Sequence, residues 1–124
     1  MQLKVLGFAA IAACAAAAAS AWAHHSHGNY QMSEYTSIEG TVREFHLVNP
    51  HAWIYLEVLN ADGQPELWAL EAGGVRQLTE AGITGDMAKV GDTVSARCHQ
   101  LRDGSNGCLL GFLTSADGVE REWD

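Results

Sequence analysis

The chain has 124 residues, 48% of them hydrophobic, and its 15 acidic residues outnumber 7 basic ones. This length is enough for one domain with a single core, and is short for two cores. The formal net charge of −8 disfavours binding to nucleic acid or to anionic lipid surfaces, because every approach is made against like charge.

Residues 1–23 have the pattern of a secretory signal peptide. Lys4 precedes an uncharged apolar run, and Ala21 and Ala23 occupy the small-x-small positions of a cleavage site. One alternative is an uncleaved anchor, since 5–23 approaches the roughly 20 residues of a spanning helix, although its alanines are weakly apolar. Another is lipidation at Cys14. We expect cleavage after Ala23, which predicts a periplasmic or secreted protein with no transmembrane segment in its mature part.

A flexible, histidine-containing segment is predicted over residues 24–35. His24 would carry the new α-amine, which together with its imidazole can chelate Cu(II). His25 and His27 are two positions apart and share one side of an extended chain. These ligands suit copper or zinc and offer little to magnesium or calcium. The three-residue amino-terminal copper motif needs histidine in third place, which is Ser26 here, so an ordinary tail with adventitious binding is the alternative.

The remaining residues, 36–124, alternate in the manner of half-buried strands with frequent turn signals. We predict strands over 36–48, 51–60, 65–71, 92–100, 108–115 and 118–123. One helix is predicted over 75–81, with Val75 and Leu78 inward and Gly82 as its stop. Five or six short strands with a helix between the third and fourth predict a mainly β fold, a small barrel of the oligonucleotide/oligosaccharide-binding (OB) type.

The joint between the first two strands, FHLVNPHAWI, is the most informative stretch. Asn49-Pro50 signals a turn, because proline fixes its own φ and biases the preceding residue away from helix. With these two residues as the hairpin loop, alternation assigns each neighbouring side chain to a face. The predicted core face holds Phe45, Leu47, Ala52, Ile54, Leu56 and Val58. The predicted outer face holds His46, Val48, His51, Trp53 and Tyr55, with His46 opposite Trp53.

The first strand changes register along its length. Even-numbered residues face inward up to Val42, whereas the odd-numbered ones do so from Phe45. One extra residue near Arg43 or Glu44 reconciles the two halves, so we predict a β-bulge there.

Cys98 and Cys108 both fall in core-facing positions of the last hairpin, and an oxidising compartment would let them pair. With 102–106 as the loop, however, Cys98 faces Leu110 and the two cysteines lie diagonally, about 7 to 8 Å apart. A disulfide prefers about 5.5 to 6 Å between Cα atoms. A disulfide and two buried free thiols therefore remain open alternatives.

Several stretches together resemble a family of small exported bacterial proteins of unknown function. They are AHHS, IEGTVREFHLVNPHAWI with its Asn-Pro-His joint, the Trp68 strand leading to Glu71, KVGDTVSARC, RDGSNG and LTSADG. The likeness covers nearly all of the predicted mature chain and implies export and a small β-rich fold, with no activity. The paired cysteines and the helix entry EAGGVRQL depart from the family pattern.

The other candidate residues each have a structural alternative. His46 and His51 would complete a metal site if the amino-terminal segment folds back across the outer face, whereas His51 could instead fix the joint by a hydrogen bond. Trp53 and Tyr55 form a candidate binding platform, or pack under the segment. His99 is expected to be a solvated surface residue. The acids Glu57, Glu66 and Glu71 are also expected to be solvated.

Motifs of hydrolases, metalloproteases and phosphate-binding enzymes are absent from the sequence, so we predict a protein that is not an enzyme. The leading hypothesis is a small periplasmic module that binds copper or zinc through its histidine-rich mature terminus. The alternative is an interaction module without a metal, which docks an envelope protein or a glycan around His51, Trp53 and Tyr55.

Overall fold

A computed structural model describes residues 27–124, which form six strands, one α-helix and one short 3-10 helix. The strands are β1 (Thr36–His46), β2 (Trp53–Leu59), β3 (Pro65–Glu71), β4 (Thr93–Gln100), β5 (Gly107–Thr114) and β6 (Glu120–Glu122). The helix α1 (Val75–Glu80) and the 3-10 helix (Gly85–Met87) lie between β3 and β4. No helix within this described part is both long and apolar enough to cross a membrane.

The strands close into a small barrel. Their order is β3-β2-β1-β4-β5-β6, and a parallel pairing of β3 with β5 joins the two sides. The barrel therefore has five strands, with β6 added to the end of β5 and the helix between β3 and β4. This confirms the predicted OB-like barrel, in which closure leaves few unpaired strand edges.

Alternation along β2 places the core as predicted. Ala52, Ile54 and Leu56 are fully buried, and His46 lies opposite Trp53 in the β1–β2 register. Leu47 is the exception: it was expected in the core but is 38% exposed. The alternation fails at this residue because β1 ends at His46, so Leu47 belongs to the loop and no longer follows the pleat.

The predicted bulge in β1 is confirmed. Val42 pairs with Leu56 and Glu44 with Tyr55, so Arg43 is the additional residue. Val42 is fully buried, which shows that the even-numbered residues face the core before the bulge. A bulge bends the strand and increases its twist, and both effects help five strands to form a closed barrel.

The Asn-Pro-His joint forms a loop fastened to the start of α1. The Asn49-Pro50 bond is cis, and the Asn49 side-chain oxygen accepts a hydrogen bond of 3.1 Å from the Val75 amide. The Ala52 amide donates to the Gly73 carbonyl at 3.0 Å. The loop runs over residues 47–52, longer than the two-residue turn expected from the sequence, because it also reaches across to the helix.

Helix α1 ends at Glu80, and Gly82 is the predicted glycine stop just beyond it, with a φ of +77°. The Gly82 amide donates to the Thr79 carbonyl at 3.0 Å, and the Ile83 amide donates to the Leu78 carbonyl at 2.9 Å. This is a Schellman motif, and glycine suits it because the left-handed conformation carries no Cβ penalty there. Leu78 packs into the core, whereas Val75 is only partly buried.

Cys98 and Cys108 form a disulfide, with 5.5 Å between their Cα atoms. The hairpin has the predicted register, with Cys98 opposite Leu110. The diagonal separation of about 7 to 8 Å expected from that register was nevertheless wrong. The pairing shifts between Arg97 and Cys98, which leaves Gly111 as an additional residue on β5. Such a bulge increases the local twist, and we attribute the closer approach of the two cysteines to it.

Candidate functional site

One row of outward-facing residues crosses the sheet from the end of β1 through β2, β3 and β5 to β4. His46 on β1 pairs with Trp53 on β2, which pairs with Glu71 on β3; Glu71 pairs with Leu109 on β5, which pairs with His99 on β4. We call these five residues the outer row. Each is brought there by the register of its strand, because directly paired residues project from the same face of a sheet.

The segment before β1 covers the β3–β5–β4 part of the outer row. Tyr30 forms an isolated bridge with Leu101, and the Gln31 amide donates to the Gln100 carbonyl at 2.8 Å. The Arg102 amide donates to the Asn29 carbonyl at 2.9 Å. The sequence predicts a flexible segment over 24–35; in the structure these hydrogen bonds tie its later part to the end of the β4–β5 hairpin.

His99 is buried under this segment, and the expectation of a solvated histidine was wrong. It is 9% exposed, and its Nδ1 lies 2.7 Å from the Glu34 carbonyl oxygen and 3.1 Å from that of Gln31. Because carbonyl oxygens only accept, Nδ1 carries the hydrogen that both of them share. The ring of Tyr35 stacks on the imidazole at 4.2 Å. His99 therefore anchors the segment.

Glu71 is also buried, contrary to the expectation that it is solvated. It is 5% exposed, and its Oε2 accepts a hydrogen bond of 2.6 Å from the Tyr30 hydroxyl. Its Oε1 lies 3.4 Å from Nδ1 of His51, a residue whose side chain is partly exposed. The β2–β3 register places Glu71 beside Trp53 on the outer face, but the segment before β1 removes it from water.

Tyr30 supplies the cover over Glu71. It is 5% exposed although it lies outside the main core cluster, and it packs on the outer side of the barrel. Burial raises the pKa of Tyr30, and the hydrogen bond and negative charge of Glu71 raise it further. The hydroxyl therefore keeps its proton and acts as a donor to the carboxylate.

The β1–β2 part of the outer row is open. Trp53 and Tyr55 are partly exposed, and the ring of His46 meets that of Tyr55 edge to face, with 5.7 Å between the two ring centroids. Nε2 of His46 pairs with Glu44 at 2.7 Å. His46 and Glu71 are two strand spacings apart, about 10 Å, with Trp53 between them. His46 is thus not brought into the corner where His51 meets Glu71.

The predicted metal ligands are therefore divided. His24 and His25 lie outside the described residues, as do the predicted leader and Cys14. His27 is exposed, and its carbonyl accepts a hydrogen bond of 3.2 Å from the Tyr30 amide, one turn away. Within residues 27–124, no group of three or more histidine, cysteine or acidic side chains is close enough together to hold a metal ion.

The sequence analysis did not identify Tyr30 and Glu71 as a buried, hydrogen-bonded pair. Glu71 had a readable signal, because the strand register places it beside Trp53 on the outer face. Tyr30 had none, since its contact with Glu71 joins residues 41 positions apart through the fold of an irregular segment. Together with His51, they make a corner that combines a buried carboxylate, a protonated phenol and a partly exposed imidazole.

Comparison with known proteins gives the family and nothing further. No curated protein and no solved structure matches the chain. The sequence matches a family of unknown function, DUF6152, over residues 11–110. This agrees with the expected resemblance to a family of unknown function. Because the match spans most of its length, the chain belongs to the family of unknown function DUF6152.

Proposed function

We propose that this protein is an exported binding module, without enzymatic activity, that captures a transition-metal ion, copper before zinc. After cleavage behind Ala23, the ion would be held by His24, His25 and His27 next to the corner formed by Glu71 and His51. Imidazoles and a terminal amine are ligands that copper and zinc favour.

One observation carries this proposal: the hydrogen bond of 2.6 Å from Tyr30 to Glu71 fastens the histidine-bearing segment beside His51. His24 precedes Tyr30 by six positions. A chain spans at most about 3.6 Å per residue, so these six positions can reach about 20 Å. The corner lies within that radius, since Tyr30 touches it directly.

Titration of the exported, untagged protein with Cu(II) and with Zn(II), followed by calorimetry and electron paramagnetic resonance for copper, tests the proposal. We expect binding tighter than micromolar that is lost when His24, His25 and His27 are all replaced by alanine. The intact mass of each sample verifies that the chain begins at His24. Micromolar or weaker binding, or binding unaffected by the triple replacement, would contradict the proposal.

A second candidate function is favoured by the open half of the outer row. Trp53 and Tyr55 lie on β2, on the outer side of the barrel, and OB-type barrels bind oligosaccharides and oligonucleotides on the face of strands 2 and 3. The negative charge of this chain disfavours nucleic acid. The remaining ligand classes are a glycan or an envelope protein that contacts Trp53.

A further inference from the structure

We propose that the barrel pairs with a second copy of itself through the outer face of β2 and β3, centred on Leu67. This pairing goes beyond the proposed metal capture and does not depend on it. Leu67 precedes Glu71 by four positions on β3, a distance of about 13 Å along an extended strand. The centre of the contact therefore lies away from the corner formed by Glu71 and His51.

Leu67 lies in the middle of an apolar patch. It is 59% exposed, and its diagonal neighbour across the β2–β3 register, Leu59, is 66% exposed. Tyr55 is the other diagonal neighbour on β2, while Pro65 and Ala69 face the same way at two positions to either side along β3. We call these five residues the Leu67 patch. Single exposed apolar side chains are normal, whereas a continuous patch marks an interaction site.

The charged groups that border the patch are paired with each other. Glu57 lies directly opposite Leu67, and its carboxylate accepts hydrogen bonds of 2.6 and 3.0 Å from Arg43. Arg43 is the bulge residue of β1, and a bulge commonly redirects a side chain. Glu44 is paired with His46 at 2.7 Å. Because the chain has a net charge of −8, two copies repel each other in general, and the repulsion is reduced where acids are neutralised in this way.

The Arg43–Glu57 pair is the reason for assigning a second copy to the patch. A two-fold interface brings the same surface of both subunits together, so that surface must be complementary to itself. Leucine side chains meet this requirement by packing on each other. One cation beside one anion also meets it, because each charge then faces the opposite charge of the other copy. The side chains of Arg43 and Glu57 are 51% and 36% exposed, so both are accessible to the second copy.

The size of the patch predicts a weak dimer. A standard interface takes about 20 to 30 residues from each side. The five residues of the Leu67 patch, Arg43 and Glu57 make seven, so the contact belongs to the small, transient class. We expect dimerisation in the range of roughly 10 to 100 µM.

Sedimentation velocity of the exported, untagged protein over a range of concentrations tests the pairing. We expect a shift from monomer to dimer, and Leu67→Glu should weaken dimerisation by about tenfold or more, because two carboxylates would meet near the axis. Val119→Glu is the matched control: it adds the same charge at a residue that is 47% exposed and lies outside β2 and β3, and it should leave dimerisation unchanged. Leu59→Glu is a second variant of the patch, with the same expected result as Leu67→Glu.

Exchange of the two charges tests the two-fold arrangement. Arg43→Glu and Glu57→Arg each leave two like charges at the contact, so each should weaken dimerisation by about three- to tenfold. The double variant again presents one charge of each sign and should recover the dimer. Urea unfolding of each variant verifies that the barrel stays folded.

The outcomes decide between the possible occupants of the patch. A protein that stays monomeric up to about 500 µM overturns the pairing, as does a dimer that Leu67→Glu and Leu59→Glu leave intact. If the protein is monomeric and Leu67→Glu abolishes capture of a glycan or an envelope protein, the patch belongs to the second candidate function and the pairing is wrong. Equal weakening by Val119→Glu, or a charge exchange that does not recover the dimer, would also contradict it.

Discussion

At the scale of single residues, strand alternation predicts which face a side chain occupies, but it does not predict whether that face is covered. Glu71 and His99 are both assigned correctly to the outside, and both are buried by the segment before β1. Each finds a partner there: the Tyr30 hydroxyl for Glu71 and backbone carbonyls for His99. Burial of these two polar groups is tolerated because their hydrogen bonds are made within the fold.

Replacing Tyr30 by phenylalanine should destabilise the protein and alter its response to alkali. At neutral pH we expect a loss of about 1 to 3 kcal/mol, because the buried carboxylate of Glu71 loses its donor. The pKa of Tyr30 is raised in the folded state above its ordinary value of 10.0. Above pH 10 the unfolded chain therefore loses a proton that the folded protein keeps, so stability falls as the pH rises.

Urea unfolding between pH 8.5 and pH 11 measures this effect. Above pH 10, the free energy of unfolding of the unchanged protein should fall with pH more steeply than that of the Tyr30→Phe variant. The difference in slope should be up to about 1.4 kcal/mol per pH unit. Tyr55→Phe serves as the control for a half-buried tyrosine on β2. Equal alkaline slopes in the unchanged protein and in Tyr30→Phe would show that the buried hydroxyl does not titrate as described.

At the scale of elements, the β1–β2 loop and the β4–β5 hairpin hold the site in place. The loop fastens His51 to the start of α1 through Asn49, and the hairpin end carries the backbone groups to which the segment before β1 is bonded. The disulfide between Cys98 and Cys108 closes this hairpin across a separation of 10 residues. The segment that covers Glu71 is therefore bonded to a hairpin that the disulfide closes.

Removing the disulfide should lower the free energy of unfolding by about 2 to 3 kcal/mol, because a loop of this length is then free in the unfolded chain. The double variant Cys98→Ala with Cys108→Ala tests this by urea unfolding, alongside the protein reduced by a phosphine. A thiol assay of the untreated protein verifies that both cysteines are oxidised. Identical unfolding midpoints for oxidised protein and double variant would contradict the expectation.

At the scale of the whole molecule, closure of the barrel and covering of one side leave a single open stretch of the outer row. The β3–β5–β4 part lies under the segment before β1, so His46 and Trp53 form the accessible part. The formal net charge of −8 spreads over the chain and favours cationic ligands in general, since an acidic surface attracts them over long distances. This open part is the surface to which the second candidate function assigns its partner.

If the second candidate function holds, Trp53→Ala should abolish capture of a partner protein or glycan while the barrel stays folded. Trp53 is partly exposed, so its truncation removes contact area without opening the core. Affinity capture from envelope extract and binding to a glycan array provide the two measurements, with Val90→Ala as the control for an exposed apolar residue away from this face, in the turn before β4. Equal capture by Trp53→Ala and the unchanged protein would remove this candidate.

The strands, the bulge at Arg43, the glycine stop of α1 at Gly82 and the barrel could all be predicted from the amino-acid order, because alternation, turn residues and glycine conformation act between near neighbours. Three features emerge only from the folded chain: the meeting of Glu71 with Tyr30 and His51, the burial of His99 and the close approach of the two cysteines. These contacts depend on the path of an irregular segment and on local twist. Neither leaves a periodic pattern in the sequence, so neither could be predicted from it.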